Sequence, residues 1–307
     1  MKPEVLGAIR DVFSEPARKL VENSAQPREV SADSVYQVAN LGNRRIIDGV
    51  LDELVLPGSR VVDLHQLVDL HQRSQAGESC LILMEHYSNF DLPCLSYLLR
   101  RQGESDTAES IVAIAGMKLN MQSGFVRAFT EAYTRLVIYP SRSLDQISDP
   151  GKLEDERRRS MRINMAATRQ MIRLKHKGRM VLVFPSGTRY RPGNPDTKRG
   201  VKEIDSYIKS FDTMVFVAIA GNVLQVHPSG DMSADFATRD VMILLPTAPE
   251  SCEEFRIRAR IEAPRDTDPK QFVADRVMAE LDALHTRAAA IREEELEPPD
   301  GSTTPAG

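Results

Sequence analysis

The spacing of apolar positions changes near residue 77. Before it, apolar residues recur at helical intervals; after it, short apolar runs alternate with helical stretches. In VYQVANLGNRRIIDGVLDELVL (35–56), Val35, Val38, Ile46, Val50 and Leu54 fall at mostly helical spacings, and Pro57-Gly58 ends the stretch. In RVVDLHQLVDLHQR (60–73), Val61, Leu64, Leu67, Val68 and His71 share one side, so His65 and His71 read as packing or helix-surface residues. Residues 1–76 are thus expected to form an N-terminal helical domain.

Beyond residue 77 the strands are expected at CLILM (80–84), IVAIA (111–115), RLVIY (135–139), MVLVF (180–184), MVFVAIA (214–220), VLQVH (223–227), VMILL (241–245) and FRIRARIE (255–262). Several are apolar throughout, the pattern of a sheet covered on both faces. FRIRARIE alternates apolar with charged residues and reads as a half-exposed or edge strand. Helices are expected near 91–101, 117–133, 154–177, 201–210 and 269–293. The implied fold class is α/β, a mixed β-sheet sandwiched by helices over residues 77–293. The tail EELEPPDGSTTPAG (294–307) is charged and then rich in Pro, Gly, Ser and Thr, the composition of a disordered segment.

Composition narrows the function classes. With 41% hydrophobic and 27% charged residues, the 307-residue chain has the balance of a soluble globular protein. Aromatics are only 6% and Trp is absent, so the core must be aliphatic. A net charge of −4 gives no bulk attraction for nucleic acid or anionic lipid, so any anion site must be a local cluster. Cys80, Cys94 and Cys252 are odd in number and far apart, without disulfide or metal-ligand spacing. No apolar run approaches the ~18 residues that span a bilayer. The N-terminus lacks a signal-peptide layout. The expected setting is cytoplasmic, with any membrane contact made from the surface.

Three loops at expected strand ends carry chemistry. The first, EHYSNFD (85–91), follows CLILM and supports two readings that can hold together. Ser88 and Asp91 match a Ser-x-x-Asp capping box, and Pro93 suits a first helical turn. Alternatively, Asp91 accepts a hydrogen bond from one imidazole nitrogen of His86 and leaves the other as a base. The second loop is YPSRS (139–143) and the third FPSGTRYRPG (184–193). Each follows a buried strand with a Pro-Ser pair and then an arginine. Arg142, Arg189 and Arg191 can converge outside the carboxyl ends of the strands, where α/β sheets bind ligands. Guanidinium forks match phosphate oxygens, and Gly187 lets the backbone approach a ligand closely.

His86-x-x-x-x-Asp91, followed about 100 residues later by Phe-Pro-Ser-Gly-Thr-Arg (184–189), resembles the glycerolipid acyltransferases over roughly residues 78–230. Those usually carry Glu where this chain has Ser186. Most have a Gly-x-x-[Phe/Ile]-Ile-x-Arg block, of which YTRLVIYPSR is a loose version. Both departures are similar to the soluble plastid-type glycerol-3-phosphate acyltransferases. Those share Pro-Ser-Gly-x-Arg-x-Arg-Pro, an N-terminal helical domain, and a segment like IVAIAGMKL…YPSRS. The resemblance implies phosphate contacts at Arg142, Arg189 and Arg191, with Ser143, Ser186, Gly187 and Thr188 also at the substrate; Ser143 stands where that group has a second basic residue.

What the resemblance implies chemically is transfer of a fatty acyl group from a thioester to the sn-1 hydroxyl of glycerol 3-phosphate. His86 would be the general base and Asp91 its orienting partner. A thioester is already activated, so direct attack in a ternary complex is expected, with no acyl-enzyme, metal or cofactor. The co-substrate is an acyl carrier protein or coenzyme A thioester. Two rivals remain: a different acceptor such as lysophosphatidate, and an inactive peripheral lipid-surface binding protein on the same scaffold. The segment RRRSMRINMAATRQMIRLKHKGR (157–179) is strongly basic, with an apolar side at Met161, Met165, Met171 and Ile172. It reads as a packed helix with a solvated basic face, or as a docking face for acidic carrier protein, coenzyme A phosphates or anionic lipid.

Overall fold

The computed structural model describes residues 2–24, 29–117, 124–145 and 147–297. The chain begins with β1 (Glu4–Ala8), α1 (Ile9–Val12), α2 (Ser14–Glu22), β2 (Tyr36–Gln37), α3 (Leu41–Leu54), β3 (Arg60–Val61) and α4 (His65–Gln75). It continues with β4 (Cys80–Met84), α5 (Asp91–Arg101), α6 (Ser105–Ser110), β5 (Ile111–Gly116), α7 (Gly124–Thr130), β6 (Arg135–Ile138), α8 (Pro150–Lys175) and β7 (Met180–Val183). The last part holds α9 (Ile204–Lys209), β8 (Thr213–Ala220), β9 (Leu224–Gln225), β10 (Phe236–Arg239), β11 (Ile243–Pro246), β12 (Glu250–Ser251), α10 (Cys252–Glu262) and α11 (Pro269–Leu296).

Nine strands form the main sheet in the order β2-β6-β5-β7-β4-β8-β11-β3, with β12 pairing β8. The five central strands, from β6 to β8, run parallel, and β2, β11 and β12 pair antiparallel at the flanks. The fold class is the expected one, a mixed sheet flanked by helices. Side chains of β4 alternate between its two faces. Cys80, Ile82 and Met84 join the core under α3 to α5, and Leu81 and Leu83 join the core under α9 to α11. All five are fully buried, which is why CLILM reads as one apolar run.

The expected helical domain over residues 1–76 is not separate. β2 and β3 from that segment pair with β6 and β11, at opposite ends of the main sheet. Ile47, Leu51 and Leu54 of α3 share a core with Ile82 and Leu95. Strands of two residues leave no period to read, so only the helices of this segment were visible in its pattern. β1 was likewise hidden; it pairs with β10 in a second sheet of order β1-β10-β9. VLQVH forms only the two-residue β9 in that small sheet.

FRIRARIE is not a strand but most of α10. Ser251 caps the helix by accepting the Glu254 N–H at 3.3 Å. Cys252, Phe255 and Ala259 supply the buried face, while Ile257 and Ile261 are 48% and 79% exposed. The alternation was therefore spurious: half of its apolar residues face water. Arg256 and Arg260, one turn apart, both grip buried Asp205. The 117–133 expectation yields α7, with residues 118–123 outside the described ones; residues 298–307 of the tail are outside them too. The apolar side read into the basic helix also divides. Ile163, Ala167 and Leu174 of α8 pack on the sheet, whereas Met161, Met165 and Ile172 face outward.

Candidate active site

The carboxyl ends of β4 and β7 lie side by side because these strands are parallel neighbours, with Ile82 opposite Leu182. Their following loops therefore meet, although about 100 residues separate them in sequence. The His86 ring stacks on Phe184, with centroids 4.0 Å apart and planes 16° apart. The Tyr190 N–H donates to the His86 carbonyl at 2.7 Å. Two of the sequence motifs thus form one structural unit.

Asp91, the first residue of α5, is 2% exposed and takes four donors. Its Oδ2 accepts from His86 Nδ1 at 2.9 Å, from the Tyr87 N–H at 2.7 Å and from the Ser88 N–H at 2.9 Å. Its Oδ1 accepts from the Ser88 hydroxyl at 3.0 Å, and Ser88 Oγ in turn accepts the Phe90 N–H at 3.0 Å. The expected His86–Asp91 hydrogen bond is present, but the capping box forms only in part: Asp91 accepts the Ser88 N–H, whereas Ser88 Oγ accepts from Phe90, which is the N-cap of α5 and makes no side-chain cap bond. The helix dipole adds positive potential at the N-terminal turn that holds this carboxylate. A carboxylate facing Nδ1 keeps the ring proton there, leaving the Nε2 lone pair free. Nε2 has no hydrogen-bond partner among the described residues, and the side chain is 17% exposed. The supporting helix is itself braced: Arg100 forms a bidentate pair with Asp48 of α3 at 2.6 and 2.7 Å, and Tyr97 donates to Asp52 at 2.5 Å.

The third loop is a tight turn. The Gly187 N–H donates to the Phe184 carbonyl at 2.9 Å, and φ of +63° at Gly187 favours glycine there. Ser186 is buried and donates its hydroxyl to the Thr188 carbonyl at 2.6 Å, so it holds the turn. Arg189 does not join an open cation cluster. It is 6% exposed and ion-paired with fully buried Asp235, which also accepts the His227 N–H at 2.9 Å. Burial raises the Asp235 carboxyl above its ordinary range despite Arg189 and the His227 N–H drawing it down. Arg191 is exposed and forms no ion pair among the described residues; its N–H donates to Thr197 Oγ1 at 2.9 Å. Ser143 and Arg142 lie in a single 3-10 turn (Ser141–Ser143) beyond β6, two strands removed from β7; the Arg142 side chain is outside the described residues.

Phe184, Tyr190 and Asp235 escaped sequence reasoning as site residues. The first two lie inside the FPSGTRYRPG block, yet nothing local reveals their contact with His86. Asp235 sits 46 residues from Arg189 in an irregular stretch, without any pattern to link them. The cysteines are buried, as expected of small apolar side chains. Burial pushes the Cys80 thiol up to about 12 and raises Cys94 and Cys252 as well, so none of them offers a thiolate.

An imidazole with a free Nε2, oriented by a buried carboxylate at parallel strand ends, has the geometry to accept a proton from a hydroxyl. Comparison with protein families matches residues 65–220, just over half of the chain, to the family described as Acyltransferase. The chain belongs to the acyltransferase family. No curated protein matches it.

Replacing Arg189 with Ala leaves Asp235 buried without its cation, which is expected to destabilise the fold by ~3–5 kcal/mol in urea unfolding. The double variant Arg189→Ala/Asp235→Ala should recover part of that loss. A single variant as stable as wild type would show the pair to be dispensable.

Proposed function

We propose that this acyltransferase is a glycerol-3-phosphate 1-O-acyltransferase. The observation that carries the reading is the His86–Asp91 pair with its free Nε2, joined by Phe184 and Tyr190 to the PSGTRYRP loop. Nε2 takes the proton of the sn-1 hydroxyl as its oxygen attacks the thioester carbonyl, and Asp91 stabilises the imidazolium that forms. Collapse of the tetrahedral adduct expels the thiolate, which takes that proton back from Nε2. The donor is a fatty acyl thioester of acyl carrier protein or coenzyme A. Arg191 supports the choice of a phosphate-bearing acceptor, being exposed beside the turn of Ser186, Gly187 and Thr188 and without an ionic partner among the described residues. Arg142 and Ser143 supply the second side of the phosphate contact in this reading. Arg189 contributes by fixing the loop that presents Arg191, with its own charge already engaged by Asp235.

A panel of glycerol 3-phosphate and lysophosphatidate against acyl-coenzyme A and acyl carrier protein thioesters tests the reading with purified protein. Saturable transfer to glycerol 3-phosphate is expected, and turnover of lysophosphatidate alone would sink it. Lipid binding with no transfer to any acceptor would favour the inactive surface-binding alternative. In the active pairing, His86→Ala should lower kcat by ~10²–10⁴-fold; an unchanged rate would remove His86 from the mechanism.

Arg191→Ala should raise KM for glycerol 3-phosphate by about 10-fold and leave KM for the acyl donor within about twofold, as loss of a charge-assisted phosphate contact predicts. Equal effects on the two substrates would refute the assignment.

The outer face of α8 supports peripheral contact with an anionic membrane. Met161, Met165 and Ile172 are 61%, 49% and 47% exposed, and the neighbouring Arg162, Arg169 and Arg173 form no ion pair among the described residues. No helix among the described residues is long and apolar enough to cross a membrane. The protein should sediment with phosphatidylglycerol vesicles, less so as salt rises, and Met161→Ser/Ile172→Ser should weaken this. Equal sedimentation with phosphatidylcholine vesicles, or none with either, would rule the contact out.

A further inference from the structure

Glu85 directly precedes His86 and is 4% exposed, yet the proton transfer described above does not use it. Its carboxylate faces away from solvent into three donors. Oε2 accepts the Ile219 N–H of β8 at 2.8 Å and lies 3.1 Å from His285 Nδ1 on α11. Oε1 accepts the Tyr87 hydroxyl at 2.7 Å, and that hydroxyl also lies 3.3 Å from His285 Nδ1. Tyr87 therefore touches two carboxylates: its side chain binds Glu85, and its backbone N–H binds Asp91. The turn presenting His86 is held from both sides, by Asp91 under α5 and by Glu85 under α11.

A carboxylate in this position needs a cation or a full set of donors, because an unpaired buried charge is strongly unfavourable. His285 is the only ionisable group with a positive form in contact with it among the described residues. The other charged groups near this cluster are Lys198, whose ammonium pairs with Asp282 of α11 at 2.7 Å, and Asp91 across the turn. The tilted rings of Tyr87 and His285 pack with centroids 5.5 Å apart. His285 lies outside residues 65–220, the part of the chain matched to the acyltransferase family.

We propose that His285 is a positioning residue of this active site, acting through Glu85 and Tyr87 to hold the turn that presents His86. The C-terminal helix α11 thereby becomes part of the catalytic apparatus and not only a cover for the sheet. The proposal rests on the reading of His86 as base, and its test separates the two.

Three proteins are compared with wild type: His285→Leu, which removes the donor; His285→Gln, whose amide can still donate to Glu85; and His86→Ala. For each, kcat and KM are measured with glycerol 3-phosphate and acyl-coenzyme A. The Nδ1–H resonance of the His86 ring is followed by ¹⁵N NMR, assignable among the six histidines by its loss in His86→Ala. His285→Leu should lower kcat by about 10-fold or more with KM within about twofold, since a small misplacement of a reacting group is enough for such a loss. It should also shift or broaden the His86 Nδ1–H resonance. His285→Gln should recover most of kcat and restore the resonance.

The hydrogen bond to Glu85 raises the His285 pKa above its ordinary value. The pair's stabilisation is therefore complete below the unfolded value of about 6.5 and fades as pH rises through the raised folded value. That pH dependence of the unfolding midpoint should vanish in His285→Gln. An unmoved His86 resonance in His285→Leu would overturn the proposal. So would equal kcat losses in the Leu and Gln variants that merely follow their thermal midpoints. If His86→Ala stays active while His285→Leu still moves the His86 resonance, the positioning role stands and the assignment of His86 as base falls.

Discussion

The carboxylate of Asp91 is the interaction on which the site depends. It is buried at the first turn of α5, and its two oxygens collect the His86 ring, two backbone N–H groups and the Ser88 hydroxyl. A buried charge of this kind is tolerated because every direction around it supplies a donor. The same four contacts tie the turn after β4 to the first residue of α5 and orient the His86 imidazole. Local folding and catalytic geometry are one arrangement here, so neither can drift without the other.

That arrangement gains a second half only through the sheet. Parallel pairing of β4 with β7 brings the loop of Phe184, Gly187 and Tyr190 against His86 from far along the chain. Apolar side chains on both faces of the sheet bury these strands in two cores. The segment before residue 77 contributes as well, since α3 anchors α5 through Asp48 and Asp52. A helix bearing Asp91 that is clamped at its far end leaves the carboxylate little freedom to move, so the imidazole it holds is fixed as well.

Much of this was legible in the sequence. The central strands announced themselves as apolar runs because both of their faces are covered, and EHYSNFD and FPSGTRYRPG stood at the ends of two of them. What failed to show has a common physical cause. β2 and β3, of two residues each, are too short for periodicity, and β1, of five residues, is held by β10 from the far end of the chain. Phe255, Ile257, Ala259 and Ile261 alternate in sequence, but only Phe255 and Ala259 are buried, and those two lie one helical turn apart. Helix caps and the Arg256–Asp205–Arg260 cluster decided α10, and an alternation count contains neither. Within the site, the residue types were readable but their partners were not. Arg189 offered itself as a phosphate ligand because nothing near it in sequence reveals Asp235.

That pairing separates two arginines that look equivalent in the sequence. Arginines in a motif are interchangeable as letters but not as charges: one neutralised by a fully buried carboxylate contributes geometry, while one left exposed contributes field. In this loop the two roles fall to residues two positions apart. Arg189 points into the protein and ties the loop to the β9–β10 connection; Arg191 stays at the surface, with no ion pair among the described residues. Twins in the sequence, the two arginines thus differ in surroundings: Arg189 is buried against Asp235 and Arg191 is exposed. The two guanidiniums differ as the two nitrogens of His86 do: a buried carboxylate engages one, and the other has no ionic or hydrogen-bond partner among the described residues.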